Sequence, residues 1–180
     1  MLNQTIKLGA ASSSPPKVLL PWLKHEFSLT DKLKNEVGDA SLTILNQQWK
    51  NPSWWDKFAL GISTSSVMHR EIIMSAHGTP CWYARTIIPD SCYQKNFLFF
   101  NRLNQESLGV IIFNTPQVKR NLMLQYAINA SSLEYYWLPH LPMLTESKDL
   151  WSRLSIFSLQ ENVFFYLVEI FLPDFLRTIN

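Results

Sequence analysis

Glycine, cysteine and charged residues are scarce in this sequence, and each shortage excludes a class of protein. The chain of 180 residues has 5 Gly, which disfavours the glycine-rich loops that cradle phosphate groups. Its two cysteines, Cys81 and Cys92, form neither a disulfide framework nor a C-x-x-C pair, and we expect both as reduced thiols. Charged residues make up 17% and the formal net charge is +2, so a nucleic-acid-binding surface is not expected.

The sequence also lacks a hydrophobic run long enough to span a membrane. The longest run, residues 163–172, contains Glu169 and is far short of the ~20 residues that a membrane helix needs. Residues 1–17 have no apolar core of signal-peptide length. We therefore expect a cytoplasmic protein without stable membrane insertion.

The apolar content of the chain suits one folded domain. Hydrophobic residues make up 47%, which is too many for a disordered chain. A chain of 180 residues can also bury a core without a disulfide or metal staple. Residues 1–16 end in Ser-Ser-Ser-Pro-Pro and are predicted to form a flexible tail. Residues 17–180 are predicted to form a single domain.

Apolar patterns and turn residues predict strands that pair largely through hairpins. The predicted strands are residues 41–49, 65–76, 81–88, 150–159 and 163–172. Turn residues at 77–80 and at 160–162 close two hairpins. With helices between the strands, this pattern predicts an α+β fold on a single antiparallel sheet.

Helix signals are fewer. Ser28 is a predicted N-cap and Gly38 a predicted C-cap, with a helix between them. Thr115 and Pro116 predict the start of a second helix that runs to about Ile128. Residues 51–56 are predicted to be a loop, and residues 129–149 irregular. Residues 108–113 suit either a strand or a buried helix, and the sequence does not decide between them.

Two charges stand out because they lie within apolar strands. Arg70 shares a strand face with Met68, Ile72 and Met74, whereas His69 lies on the other face, which we expect to be wetter. Glu169 lies in a strand that is otherwise apolar on both faces, so we expect it to be buried and either protonated or held by a specific partner. Arg70 and Glu169 could line one ligand pocket, form a structural ion pair with each other, or each pair with a local partner.

The other polar candidates carry weaker signals. Arg85 also lies in an apolar strand, either near the site or over aromatic rings on the outer face. The pair Lys119 and Arg120 is most simply a solvated helix face. The four histidines, at positions 25, 69, 77 and 140, lack metal-ligand spacing and are expected on surfaces or in turns. No metal site is therefore predicted.

Several phrases containing these charges resemble the chorismate lyase family. MHREIIMSAHGTPCWYARTIIP, residues 68–89, resembles the family's R-E-I strand, its turn and its A-R-T-x-x-P strand. FYLVEIFLP, residues 165–173, is similar to its C-terminal T-E-x-F-L-P strand. WLKHEFSLTDKLK, residues 22–34, and QESLG, residues 105–109, resemble two further segments. The resemblance extends over about residues 20–175.

The resemblance implies a fold, a reaction and a set of site residues. The family has an antiparallel sheet of about six strands, and it converts chorismate to 4-hydroxybenzoate and pyruvate on the way to ubiquinone. It uses no metal or cofactor, so the implied partner is the small molecule chorismate, and we expect a monomer. The family's ligand contacts fall on Arg70, Glu169, Leu29 and Leu108. Because the two leucines are apolar, any polar contact they make should come from backbone N–H groups.

One segment of this chain differs in length from compact family members, and an alternative function remains open. Between Phe113 and Trp151 this chain is longer than compact family members, and the extra residues within 121–147 could extend a flap or lie on the surface. The alternative function is a non-catalytic effector-sensing domain of the same fold. Such domains normally follow an N-terminal helix-turn-helix module, and residues 1–16 leave no room for one, so the enzyme is the expected function.

Overall fold

A six-stranded antiparallel sheet forms the centre of the fold. The computed structural model describes residues 14–139 and 149–179. Its strands are β1 (Ser41–Lys50), β2 (Val67–Ala76), β3 (Thr79–Pro89), β4 (Lys119–Ile128), β5 (Leu150–Gln160) and β6 (Val163–Phe171). Their order across the sheet is β1-β2-β3-β6-β5-β4, and all neighbours are antiparallel. The predicted α+β fold is confirmed.

Short helices connect and cover the strands. The described α-helices are α1 (Leu20–Leu23), α2 (Leu29–Val37), α3 (Trp54–Leu60), α4 (Asp90–Lys95), α5 (Phe97–Asn101), α6 (Leu108–Phe113) and α7 (Phe175–Thr178). Single 3-10 turns lie at Lys17–Leu19, Arg102–Asn104 and Leu133–Trp137. None of the helices in the described part of the chain is long and apolar enough to cross a membrane.

The predicted hairpins and the helix after Ser28 are confirmed. His77 and Gly78 have φ angles of 48° and 76° at the β2–β3 turn, so this turn uses the left-handed region in which Gly is unstrained. Ser28 caps α2, since its side chain accepts a hydrogen bond from Asp31 N at 3.2 Å. Gly38 ends the same helix with a φ of 86°.

The predicted helix from Thr115 to Ile128 is wrong, because these residues enter strand β4. The Thr115 hydroxyl donates to Ile111 O at 2.7 Å, so the Thr-Pro signal ends α6 and does not begin a new helix. Along β4, pairing with β5 from Lys119 to Ile128 supplies the backbone hydrogen bonds that local signals assigned to a helix. Residues 108–113, which the sequence left open, form helix α6.

The predicted loop at residues 51–56 is also wrong in part. Ser53 caps α3 in a reciprocal capping box: its hydroxyl accepts from Asp56 N at 3.2 Å, and its own N–H donates to Asp56 Oδ2 at 2.7 Å. The expected tail, residues 1–16, lies outside the described residues apart from positions 14–16.

Apolar clusters cover both faces of the sheet. On one face, α1, α2, α7 and the α4–α6 segment bury side chains such as Trp22, Leu33 and Phe100. On the other face, α3 and the Leu133–Trp137 turn cover a cluster that includes Val67 and Tyr83. The expected wetter face of β2 is therefore wrong, since His69 on that face is fully buried.

Candidate active site

A pocket opens between the first of these faces and the starts of helices α2 and α6. It contains about 530 Å³ of space outside protein atoms, counting the solvent at its mouth. The four residues named from the sequence, Leu29, Arg70, Leu108 and Glu169, all line it. Its other lining residues include Ser28, Thr86, Ser107, Gly109, Phe113, Arg120, Arg153 and Phe157. One cavity therefore joins residues from several strands and two helix starts.

Arg70 is a buried cation that no carboxylate neutralises within the described chain. Its side chain comes from β2, and the whole residue is 3% exposed. Nε donates to Gln47 Oε1 on β1 at 3.1 Å, so its hydrogen-bond neighbour is a neutral amide. Burial lowers the pKa of the guanidinium, because removal from water disfavours the charged form. An anion in the pocket would relieve that cost.

Glu169 pairs with Arg153 and not with Arg70. Glu169 on β6 and Arg153 on β5 are opposite each other in the sheet, and Arg153 Nε donates a hydrogen bond to Glu169 Oε2. Arg153 is 1% exposed, and its Nη1 also donates to His25 O at 2.7 Å. The sequence-based alternative of an Arg70–Glu169 ion pair is therefore wrong, and the specific partner expected for Glu169 is Arg153.

Arg153 and Arg120 line the pocket, although the sequence does not identify either as a site residue. Arg153 lies in the run LWSRLSIF, and its charge within an apolar strand is the same signal that identifies Glu169. Arg120 was expected on a solvated helix face, which is wrong because it lies on strand β4 and is half-buried. Its identification requires the correct assignment of β4.

Arg120 lies at the side of the pocket where the α1–α2 segment crosses it. Nη1 donates to Glu26 O, and Cζ lies 5.0 Å from the ring centre of Phe157 and 5.6 Å from that of Phe113. Burial lowers the pKa of this guanidinium, and the nearby charge of Arg153 lowers it further, although the charges of Glu169 and Glu26 act in the opposite direction. Arg120 is therefore held by a backbone carbonyl and aromatic faces, and it forms no direct ion pair within the described part of the chain.

The pocket has a net positive charge. Its described lining includes three guanidinium groups, those of Arg70, Arg120 and Arg153, and one carboxylate, that of Glu169. The formal balance is therefore +2 in a site largely shielded from water. Such a site favours a ligand with two negative charges, because charge interactions strengthen as water is excluded.

The starts of α2 and α6 supply backbone donors at the same pocket. Ser28 and Ser107 cap these helices, and Leu29 and Leu108 follow as first helical residues. The first N–H groups of a helix have no partner within the helix and attract anions. A Cβ at Gly109 would lie 3.2 Å from Ser28 Oγ, so the two helix starts nearly touch. The absence of a side chain at 109 allows this close approach.

Other polar residues lie on the opposite face of the sheet. Arg85 Nη2 contacts Glu71 Oε1 at 2.7 Å, and its Cζ lies 3.8 Å from the ring centre of Trp137. The outer-face alternative for Arg85 is thus the one that the structure supports. His69 Nε2 lies 3.1 Å from Asp56 Oδ2 with both side chains fully buried, so the expectation of a surface histidine is wrong.

The longer segment after Phe113 is partly described, and that part does not cover the pocket. Residues 121–128 belong to β4. The turn that follows places Trp137 against Trp55, with ring centres 4.7 Å apart, on the opposite face of the sheet. Residues 140–148, including His140, lie outside the described residues. Among the residues that are described, no group of three or more His, Cys, Asp or Glu could hold a metal ion.

Solved structures with a similar fold include transcriptional regulators. The fold resembles a transcriptional regulator of the GntR family from Bacillus cereus, with a TM-score of 0.56 and 16% identity over 75% of this chain and 92% of that one. It also resembles the effector domain of PhnF from Mycobacterium smegmatis, with a TM-score of 0.52 and 14% identity over 82% and 90% of the chains. The fold and pocket define a protein with the chorismate lyase-like α+β fold and a pocket lined by three arginines and one glutamate.

Sequence comparisons then assign the chain within that class. The family model for chorismate lyase matches residues 1–178, so the protein belongs to the chorismate lyase family. It is 31% identical over 169 residues to a "Probable chorismate pyruvate-lyase" of Pseudoalteromonas atlantica, covering 89% of this chain and 82% of that protein. It is 26% identical to the protein of the same name from Aromatoleum aromaticum, covering 90% and 88% of the two chains.

Proposed function

We propose that this protein is a chorismate pyruvate-lyase, which converts chorismate to 4-hydroxybenzoate and pyruvate in the cytoplasm as the first step toward ubiquinone. The observation that carries the proposal is the pocket's formal charge of +2, combined with membership of the chorismate lyase family. Chorismate has two carboxylates, one on its ring and one on the enolpyruvyl ether, so its charge complements the pocket. Its bulky apolar ring also suits the aromatic and aliphatic lining.

The reaction needs positioning more than activation. The ether C–O bond breaks and a ring proton is lost; the electrons of the broken C–H bond complete the aromatic ring. The ether oxygen departs with the enolpyruvyl group, which takes up a proton and becomes pyruvate. Because an aromatic ring forms, the reaction is downhill and requires no oxidant or reductant. The pocket must hold a flexible dianion in the reactive conformation and exclude water.

In this proposal Arg70 binds the ether-side carboxylate. Its guanidinium is buried beside a neutral amide, so a carboxylate would supply the charge that Gln47 cannot. As the C–O bond breaks, negative charge grows on the departing enolpyruvyl group. A fixed cation near that group stabilises the transition state more than the bound substrate, which is the requirement for catalysis.

Glu169 has two candidate roles, and its contact with Arg153 favours one of them. It could accept the ring proton as a general base or anchor the ligand's 4-hydroxyl group. Arg153 holds Oε2 in place, which leaves Oε1 to accept a hydrogen bond from a hydroxyl group in a fixed position. We propose the anchor role, with the ring proton transferred within the substrate itself.

Substitution of the two polar residues tests the proposed site. Arg70→Ala and Glu169→Ala should each lower kcat/KM for pyruvate release by at least about a hundredfold, since each removes a charge-assisted contact in a dry site. Arg102→Ala is the matched control, because Arg102 pairs with Glu106 outside the pocket lining. Near-normal pyruvate release by both site variants would refute the assignment.

An effector-sensing domain is the second candidate, favoured by the similarity to the PhnF effector domain. The two functions differ in turnover and not in binding. Saturable binding of chorismate by the purified protein, without appearance of pyruvate, would support the sensor and refute the lyase.

A further inference from the structure

Arg120 has a donor that the fold leaves unused. Its Nη1 donates to Glu26 O, but its Nε is buried and has no hydrogen-bond partner among the described residues. A buried guanidinium N–H without an acceptor is costly, and native structures rarely keep one without a purpose. Since Arg120 lines the pocket, a ligand's acceptor atom could satisfy this donor.

Arg120 and Arg70 approach the pocket from opposite sides. Arg70 lies on β2 and Arg120 on β4, with β3, β6 and β5 between them. Four strand spacings separate their backbones by about 19 Å at ~4.8 Å per step. Both long side chains nevertheless line the same pocket, so cations lie at two separate parts of its lining. This arrangement can hold two carboxylates at opposite ends of one ligand.

The contacts of Arg120 place it beside the helix starts. Glu26, whose carbonyl it binds, lies two residues before the Ser28 cap of α2. Phe113, over which its guanidinium lies, is the last residue of α6. Arg120 therefore shares a side of the pocket with the backbone donors at Leu29 and Leu108.

We propose that Arg120 binds the ring carboxylate of the ligand, beside the start of α2. The proposal rests on the proposed lyase function, in which Arg70 takes the ether-side carboxylate. The ring carboxylate remains on 4-hydroxybenzoate after pyruvate has left. Arg120 thus contacts both substrate and product, and it sets how tightly the product is retained.

Binding of 4-hydroxybenzoate to Arg120→Gln tests this role directly. The variant should bind 4-hydroxybenzoate about tenfold to a hundredfold more weakly than the wild type, as expected for loss of a charged hydrogen bond in a dry site. KM for chorismate should rise by a similar factor, whereas kcat should not fall, because the ring carboxylate makes the same contact in the bound substrate and in the transition state. Arg120→Lys, which keeps the charge but not the planar fork, should give an intermediate Kd.

Comparison with 4-hydroxybenzamide separates recognition from a general structural effect. This neutral analogue lacks the carboxylate, so the Arg120→Gln and wild-type proteins should bind it with similar affinity. The ratio of benzoate to benzamide affinity should therefore fall in the variant. Arg177→Gln provides the matched control, since the Arg177 side chain on α7 is exposed and lies outside the pocket lining, so the ratio should stay unchanged.

Two results would overturn the proposal. One is a Kd for 4-hydroxybenzoate that changes by less than about twofold in Arg120→Gln, and the other is an equal loss of affinity for the benzoate and the benzamide. Failure of the lyase function gives a different pattern. In that case the wild type would release no pyruvate from chorismate, while the benzoate-to-benzamide ratio would still report whether Arg120 binds a carboxylate.

Discussion

Arg153 and Glu169 form a buried ion pair across strands β5 and β6 at the floor of the pocket. Arg153 also donates to His25 O at 2.7 Å and to Trp22 O at 3.4 Å, so it links the sheet to α1 and to the segment between α1 and α2. One arginine thereby fixes the proposed hydroxyl anchor and attaches the α1–α2 segment to the sheet. This arrangement couples stability of the fold to geometry of the site.

Removal of one partner of this pair should destabilise the protein strongly. Arg153→Leu leaves the Glu169 carboxylate buried without its cation, so the free energy of unfolding should fall by about 3–5 kcal/mol. The double variant Arg153→Leu, Glu169→Leu should be more stable than Arg153→Leu alone, since no unpaired charge remains. Urea denaturation monitored by tryptophan fluorescence measures both values. Equal stability of the single and double variants would contradict a coupled ion pair.

Gly109 should be required for the close approach of α2 and α6. In Gly109→Ala the new Cβ would lie 3.2 Å from Ser28 Oγ, so one helix start must shift. The first backbone N–H groups of α2 and α6 are proposed ligand donors. A shift of either helix start should therefore lower kcat/KM for chorismate by about tenfold, which corresponds to the net free energy of one hydrogen bond.

A second substitution provides the control for Gly109→Ala. Ser28→Ala removes the hydroxyl, and the remaining Cβ at position 28 would lie 3.9 Å from the new Cβ at position 109, an ordinary contact distance. The double variant Ser28→Ala, Gly109→Ala should therefore recover part of the activity that Gly109→Ala loses. Activity in Gly109→Ala equal to the wild type would show that the helix starts tolerate separation.

The buried pair of His69 and Asp56 should make stability depend on pH. Burial lowers the pKa of His69 below its ordinary 6.5, outweighing the opposite effect of the Asp56 hydrogen bond. The unfolded chain therefore binds a proton more readily than the folded one. Stability from His69 is complete above pH 6.5 and is lost as the pH falls from there through the lower folded value.

Asp56 adds a second loss at lower pH. Although burial alone raises the pKa of this carboxyl, hydrogen bonds from His69 and Ser53 and the charge of His69 lower it below 3.8. Its contribution is present above pH 3.8 and is lost as the pH falls through the folded value. His69→Gln keeps a donor for Asp56 but does not titrate, so its urea midpoint should change less than that of the wild type between about pH 7.5 and 5.5, a range that spans the unfolded pKa of histidine. Parallel midpoints in the two proteins would contradict this account.

Local sequence signals predict five of the six described strands and miss β4, one of the two edge strands. The hairpins β2–β3 and β5–β6 contain long apolar strands and clear turn residues, so pattern alone locates them. Strand β4 is wrongly predicted as a helix, because the Thr-Pro signal is compatible with either the end of one element or the start of another. Only pairing with β5, a long-range contact, decides its conformation.

In the candidate site, local sequence likewise identifies some residues, whereas others depend on long-range pairing. Arg70 and Glu169 are identifiable because a charge in an apolar strand needs a partner, and the structure places both at one pocket. The partner of Glu169 is not identifiable in the same way, since side-chain pairing depends on which strands are neighbours in the sheet. The wrong assignment of β4 also conceals Arg120. His69 is misjudged because α3, which buries it through Asp56, is predicted as a loop.

The proposed function requires that the pocket lined by Arg70, Arg120, Arg153 and Glu169 turns over chorismate without a metal or cofactor. The most direct test is to incubate the purified protein with chorismate in the presence of EDTA and to measure pyruvate and 4-hydroxybenzoate. If the protein is a chorismate pyruvate-lyase, pyruvate and 4-hydroxybenzoate form in equal amounts at a rate proportional to the protein concentration. Stable binding of chorismate with neither product above the uncatalysed background would contradict it.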